Sequence, residues 1–421
     1  MSDAQPMPFQ ASLLLRNIGQ LVTVAQQPIA GATGTLQVMT DAALAVYDRK
    51  ITWIGSDEEL ARLLAESNGK LPDDLPIVDA HGAVVTPGLV DSHTHLVFAG
   101  DRVGEFHLRR DGKSYGDLLT QGRSIMTTVQ ATRGARSAQL QELALERLTA
   151  IQAYGTTTVE IKTGYGLELA TEERCLRIIQ QLQSLVNGRI RIVPTFLGAH
   201  SIPLEYRADR TAYVDLVVEQ MLPAFTGLAR FCDVYCEKEA FSVEEARRIL
   251  LRAKELGYLV KVHADQLNPS GGTQLAAEVR AISADHLDFA SDADLDRLRE
   301  AGVTPTLLPG CSYTLRTPYP SARRLLDRGL RVALATDFNP GTCYCENLQT
   351  ILGLAMSAMD MSLEEALAAV TINGAYALAL QDEIGSIEVG KRCELTFWST
   401  HDYREIGYHF GVNLVASTFI A

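Results

Sequence analysis

Short apolar runs that break off at a polar side chain recur through the middle of the chain, and longer segments with apolar positions at helical spacing separate them. The runs end near His95, Lys162, His200, Glu237, His263, His286, Leu308 and Asp337. Amphipathic segments over 137–154, 171–186, 243–257, 272–279 and 292–301 lie between most of them. Strand and helix in alternation predict βα units with right-handed crossovers, and therefore a parallel sheet. Eight such strands in succession favour closure into a (β/α)8 TIM-like barrel over an open sheet. The seventh, Val303–Leu308, has the weakest strand pattern because Pro305 cannot donate to a ladder.

The two ends of the chain carry a different pattern. Ser12–Asn17, Gln20–Val24, Ala42–Tyr47 and Lys50–Gly55 read as short strands separated by Gly, Asp and Asn, and Asp57–Glu66 reads as a helix. Small strands return within Gly385–Trp398. Both ends together predict a small β-sandwich domain, residues 1–84 and 384–421, flanking a barrel domain of residues 85–383.

The polar residues that close the apolar runs carry the chemistry. His93 and His95 stand one residue apart, and on an extended chain such a pair points to one face. His263, His286 and Asp337 each close a later strand. In a barrel of this kind the C-terminal strand ends form the active face, so all five predict one site. Imidazole nitrogens with a carboxylate oxygen suit Zn²⁺ or iron, and such an ion lowers the pKa of a bound water toward neutrality. In that setting Asp337 serves as ligand and base, and His286 polarises a carbonyl or relays a proton.

Charge and composition narrow the partners. The net charge of −13 argues against nucleic acid and anionic membrane surfaces, both of which need a basic face. An acidic substrate would have to be captured by local arginines. No leader pattern opens Met1–Gln20 and no apolar stretch is long enough to span a bilayer, which predicts a cytoplasmic protein. The seven cysteines are scattered. The pairs Cys232/Cys236 and Cys343/Cys345 lack the usual zinc spacings, so reduced, buried thiols are expected.

His-x-His on the first strand, His on the fifth and sixth and Asp on the eighth, with a β domain from both termini, resembles the amidohydrolase superfamily. Many members of that superfamily carry a carboxylated lysine on the fourth strand; Lys162 ends the second, and the fourth ends in Cys236-Glu237, so a mononuclear site is expected. The segments His93–Arg102, Glu160–Leu167, Phe196–His200, Val262–Gln266 and Ala335–Thr342 resemble the imidazolonepropionase family within it, and the similarity runs from about residue 12 to the C-terminus.

That resemblance implies hydrolysis of 4-imidazolone-5-propanoate, one divalent metal ion per subunit (Zn²⁺ or iron as Fe²⁺/Fe³⁺) and a homodimer. It implies metal ligands His93, His95, His263 and Asp337, with Arg102 holding the propionate carboxylate. Tyr165 and His200 would grip carboxylate and ring. Gln266 stands where some members have Glu, and it cannot act as a base, which leaves it to orient the ring and leaves proton transfer to Asp337 with His286. Asn339, Gly341 and Thr342 would line the pocket from a turn. Asp101, Arg109 and Arg110 read as loop charges, and the long segment 103–135 as a cover or an interface piece. Two rival readings are a deaminase of the same superfamily, which would have no carboxylate for Arg102, and an inert barrel scaffold, which would be expected to have lost ligands.

Overall fold

The computed structural model describes residues 9–30, 32–66, 75–112 and 124–421. Eight parallel strands run in consecutive order around the barrel: β6 (Leu89–Asp91), β7 (Thr156–Lys162), β8 (Arg191–Ala199), β9 (Phe231–Cys236), β10 (Leu259–Ala264), β11 (Ser283–His286), β12 (Thr304–Leu307) and β13 (Ala333–Leu334). The expected helices lie between them, among them Ser137–Ala153, Leu169–Leu185, Val243–Glu255 and Asp292–Ala301. Pro305 is accommodated in β12, where it stands opposite Ala284 of β11.

The ring closes through the residues singled out above. Beyond the last ladder of β13 a single parallel bridge joins Thr94 to Phe338. The Asp337 amide donates to the His93 carbonyl (3.0 Å) and the His95 amide to the Phe338 carbonyl (2.8 Å). Asp91 ties the seam one step lower, accepting from the Thr336 amide (3.0 Å) and hydroxyl (2.6 Å).

Alternation along the strands explains what fills the barrel. Val159, Ile161, Val260, Val262 and Ala284 point outward into the main hydrophobic core beneath the helices. Their neighbours Glu160, Lys162, Lys261, His263 and Asp285 are buried on the other side, inside the ring.

The termini form one mixed sheet of seven strands: β1 (Leu13–Val22), β2 (Val38–Tyr47), β3 (Lys50–Ser56), β4 (Ile77–Asp79), β5 (Val84–Pro87), β14 (Glu394–Trp398) and β15 (Val415–Ile420). A single sheet thus stands where a sandwich was expected. Both its faces are nonetheless covered: Leu15, Leu44 and Leu395 pack on one, while Leu14, Ala43 and Ala45 meet Leu60 of the helix Asp57–Glu66 on the other. The two strands expected before residue 25 are one, β1, interrupted by a register shift between Leu15 and Ile18 with Asn17 at φ 55°. Gly88 carries the chain directly from this sheet into the barrel. A Cβ there would lie 2.0 Å from the Thr157 hydroxyl, so only glycine passes.

Candidate active site

β6 ends at Asp91, so the histidine pair lies on the segment that follows it and not on the strand itself. The neighbouring strand fastens that segment: the Thr94 hydroxyl donates to the Glu160 carbonyl (2.6 Å), and the Lys162 amide to the Thr94 carbonyl (2.9 Å). The two imidazoles still converge. His93 Nε2 and His95 Nε2 are 3.2 Å apart, and His263 Nε2 is 3.4 Å from His95 Nε2. Asp337 Oδ1 lies 3.5 Å from His93 Nε2 and 3.6 Å from His95 Nε2.

Buried carboxylates beneath the rings settle what those nitrogens are. Asp285 Oδ2 lies 2.7 Å from His93 Nδ1, which places the proton on Nδ1 and leaves Nε2 as a bare lone pair. Asp233 Oδ2 stands 3.0 Å from His263 Nδ1, close enough for its charge to act on that ring but without the hydrogen bond that fixes His93. Burial holds His93, His95 and His263 well below the usual imidazole range, with the Lys162 charge adding to it, so all three are neutral. Three imidazole nitrogens and a carboxylate oxygen thus converge within 3.2–3.6 Å, with His93 Nε2 held as a lone pair, which is the kind of donor set a divalent ion takes. The donor set therefore fits a metal ion.

Lys162 occupies the centre of this under-layer. Its Nζ is 2.7 Å from Asp233, 2.9 Å from Glu160 and 3.5 Å from Asp285. Burial would depress its ammonium, but the three carboxylates more than offset that and raise it. Lys261 adds a second ammonium, 2.8 Å from Glu160 and 2.9 Å from the Ser92 carbonyl. Three carboxylates against two ammonium groups leave the floor of the site with a net negative charge that favours a cation above it. Lys162 is thus committed to ion pairs inside the barrel.

Two residues at the site hold left-handed backbone, His286 at φ 78° and Asp337 at φ 53°. Such conformations cost energy in a non-glycine residue and concentrate at functional positions. Burial lowers His286 to about 4, leaving it neutral, and raises Asp337 to about 8 with no cation present.

Above the cluster opens a cavity of about 820 Å³, lined by His95, Tyr165, His200, His263, Gln266, His286, Asp337, Asn339 and Thr342. The His200 ring stacks on that of His95, with centroids 4.9 Å apart and planes at 16°. Its Nδ1 meets the Gly164 carbonyl at 3.1 Å, so Nε2 is left as an acceptor. Tyr165 packs between His95, His200 and Phe98, tilted against the two imidazoles and edge-on to Phe98.

Arg102 reaches the cavity wall as one half of a buried pair, with Nε 2.8 Å and Nη2 2.6 Å from Glu105 Oε2. The pair fixes the guanidinium plane and leaves its remaining donors for another carboxylate. Gly341 packs directly against it: a Cβ at 341 would stand 2.0 Å from Arg102 Nη1. Asn339 organises the same turn, donating to the Asp337 carbonyl (2.6 Å) and accepting from the amides of Gly341 (2.8 Å) and Thr342 (2.7 Å).

Some expectations need correction. Arg109 and Arg110 are not stray loop charges, because both line the cavity; Arg109 donates to the Gly341 carbonyl (2.8 Å) and Arg110 to the Thr314 carbonyl (2.7 Å). Segment 103–135 holds helices Val103–Arg110 and Ile125–Gly134, and its middle, 113–123, lies outside the described residues. Glu237 stays away from the cluster, bonding the amides of Leu267 (2.9 Å) and Asn268 (3.3 Å) and the Ser270 hydroxyl. All seven cysteines are free. Sequence reasoning missed Asp233, Lys261 and Asp285 beneath the site and Cys311 beside it. The one signal is parity, and it serves Lys261 alone, which sits two before His263 and so shares its inward face.

Comparison with known proteins agrees with this geometry. The model of the amidohydrolase family matches residues 84–420. Imidazolonepropionase of Symbiobacterium thermophilum is 47% identical over 409 residues, 96% of this chain and 95% of that protein. Imidazolonepropionase of Caldanaerobacter subterraneus subsp. tengcongensis is 44% identical over 411 residues, 97% and 96% of the two chains. Among solved structures, an adenosine deaminase from Xanthomonas campestris with bound zinc superposes with a TM-score of 0.69 at 18% identity, over 97% of this chain and 92% of that one. At that identity the likeness concerns the fold alone.

Proposed function

The chain belongs to the amidohydrolase family, among the imidazolonepropionases, and on that footing we propose that it hydrolyses the ring C–N bond of 4-imidazolone-5-propanoate to N-formimidoyl-L-glutamate in histidine degradation. The observation that carries this reading is the convergence of His93, His95 and His263 Nε2 with Asp337 Oδ1 at the floor of a cavity walled by Arg102.

In this reading those four residues hold one divalent ion, zinc or iron, which when bound supplies a Lewis acid and a water of near-neutral pKa. Arg102 takes the propionate carboxylate with the donors that Glu105 leaves. Tyr165, His200 and Gln266 orient the ring from the cavity wall. Asp337 would receive a proton as the water oxygen bonds to the ring carbonyl carbon. The C–N bond then breaks, the ring nitrogen takes up a proton as the leaving group, and the carbonyl carbon, still bonded to its carbon neighbour, becomes the new carboxylate of the opened product. Neutral His286 lines the same cavity, and in this reading its N–H polarises the carbonyl and relays that proton.

The test is to supply imidazolone propionate to the purified protein and follow the ring's ultraviolet absorbance with and without a chelator. Chelator-sensitive loss, with formimidoylglutamate appearing, is the expected result. Metal-replete protein that leaves the ring intact would overturn the substrate and return the site to the deaminase reading.

A further inference from the structure

Cys311 sits in the first turn of the helix Pro309–Leu315, just beyond β12, and its thiol is nearly closed off from solvent. Gln266 donates to its sulfur through Nε2 at 3.4 Å. One ligand atom each from Cys311, His286 and Asp337 lie within 4.8 Å of one another, and all three residues are buried. Asp337 also belongs to the group formed with His93 and His95, and His286 to the group formed with His93 and His263, so Cys311 is the donor peculiar to this group.

We propose that His286, Cys311 and Asp337 form a second, inhibitory cation site that takes a thiophilic divalent ion such as zinc or cadmium. The inference rests on the first cation site described under the proposed function and adds a neighbour to it. A carboxylate shared by two donor groups is the arrangement found where two ions lie about 3.5–4 Å apart. Thiolate, imidazole and carboxylate together select zinc and cadmium over magnesium, which prefers oxygen donors alone. Occupation withdraws the His286 lone pair and part of Asp337 from proton transfer, so the second ion stops turnover. Binding is acid–base only: the Cys311 S–H bond breaks, a sulfur–metal bond forms, and the proton passes to solvent. The Gln266 N–H steadies the thiolate that results.

The experiment is equilibrium dialysis of the full-length protein against rising zinc, with activity read in the same samples. It is run on the wild type, on Cys311→Ser and on Cys311→Ala, and repeated with cobalt to read the thiolate charge-transfer band. The expected result is a second bound equivalent whose uptake parallels loss of activity, with a cobalt band that both variants lack. In the variants the zinc needed for half-inhibition rises at least about tenfold, the lower end of what losing even an outlying metal partner costs. Wild-type protein that stops at one equivalent overturns the inference and leaves the proposed function standing, and so does inhibition unchanged in both variants. Protein that binds no cation at all overturns both.

Discussion

His93 Nδ1 lies 2.7 Å from Asp285 Oδ2, and that same oxygen is 3.5 Å from Lys162 Nζ. One carboxylate thus sets the tautomer of a candidate ligand while a buried lysine holds the carboxylate. Asp233 repeats the arrangement, with Oδ2 2.7 Å from Lys162 and 3.0 Å from His263 Nδ1. Lys162 therefore positions two imidazoles at once without touching either.

Lys162→Met is expected to leave Asp233 and Asp285 buried and short of a partner. Breaking a buried ion pair by removing one member costs about 3–5 kcal/mol, and the loosened imidazoles should lower metal affinity about 10–100-fold. Urea unfolding and competition with a chelator measure the two effects separately. Wild-type affinity in a folded variant would remove Lys162 from the positioning role.

Asp337→Asn is expected to lower kcat at least about 10²–10⁴-fold, the usual range for a lost general base. Circular dichroism should stay native, because the seam bond to His93 uses the Asp337 amide and not its side chain. Near-normal kcat would take Asp337 out of the base role.

For Arg102→Ala the expected signature is a KM about 10–100-fold higher for the propionate substrate, the equivalent of one or two charge-assisted hydrogen bonds. Metal content should be unchanged. Glu105 is left buried without its cation, so some loss of stability should accompany the change. An unaltered KM would break the carboxylate assignment.

Metal loading should be pH-dependent in a defined direction. Burial raises the Asp337 acid to about 8, whereas a cation needs the carboxylate, so proton and ion compete. Zinc added to metal-free protein at neutral pH is expected to release a proton, and its affinity should climb with pH until about 8. The stability of the metal-free protein runs the other way. An acid whose folded pKa lies above its ordinary 3.8 stabilises the fold below that value, and the stabilisation is lost as pH rises through about 8. Indicator-dye proton release and thermal melts across that window check both signs.

The barrel is legible in the sequence because a strand buried on both faces reads as a compact apolar run, and its helix as a longer periodic one. Even Pro305 did not hide β12. The site is legible because His93, His95, His263, His286 and Asp337 all stand where those runs end. The under-layer was not. Glu160, Asp233, Lys261 and Asp285 interrupt the runs as surface charges would, and nothing local says that residues from four strands meet at one point. Arg109 and Arg110 were misplaced for the same reason: their position over the cavity depends on where the helix Val103–Arg110 docks, which its own pattern does not encode. In the terminal sheet, two expected strands merged because the bulge near Asn17 turns the chain without ending the ladder.

The seam that closes the barrel is made by the candidate ligand segments themselves, Thr94 bridging to Phe338 with His93 and Asp337 bonded beside it. An ion held by His93, His95 and Asp337 is then a rivet across the one joint of the ring that has scarcely any ladder. Such an ion would bind only the closed form, so mass action would couple its concentration to closure. Removing it should be felt first as faster amide hydrogen exchange at His95 and Asp337, ahead of any global unfolding. On the proposed ligand set, keeping the ring shut and keeping the catalyst loaded would be a single equilibrium.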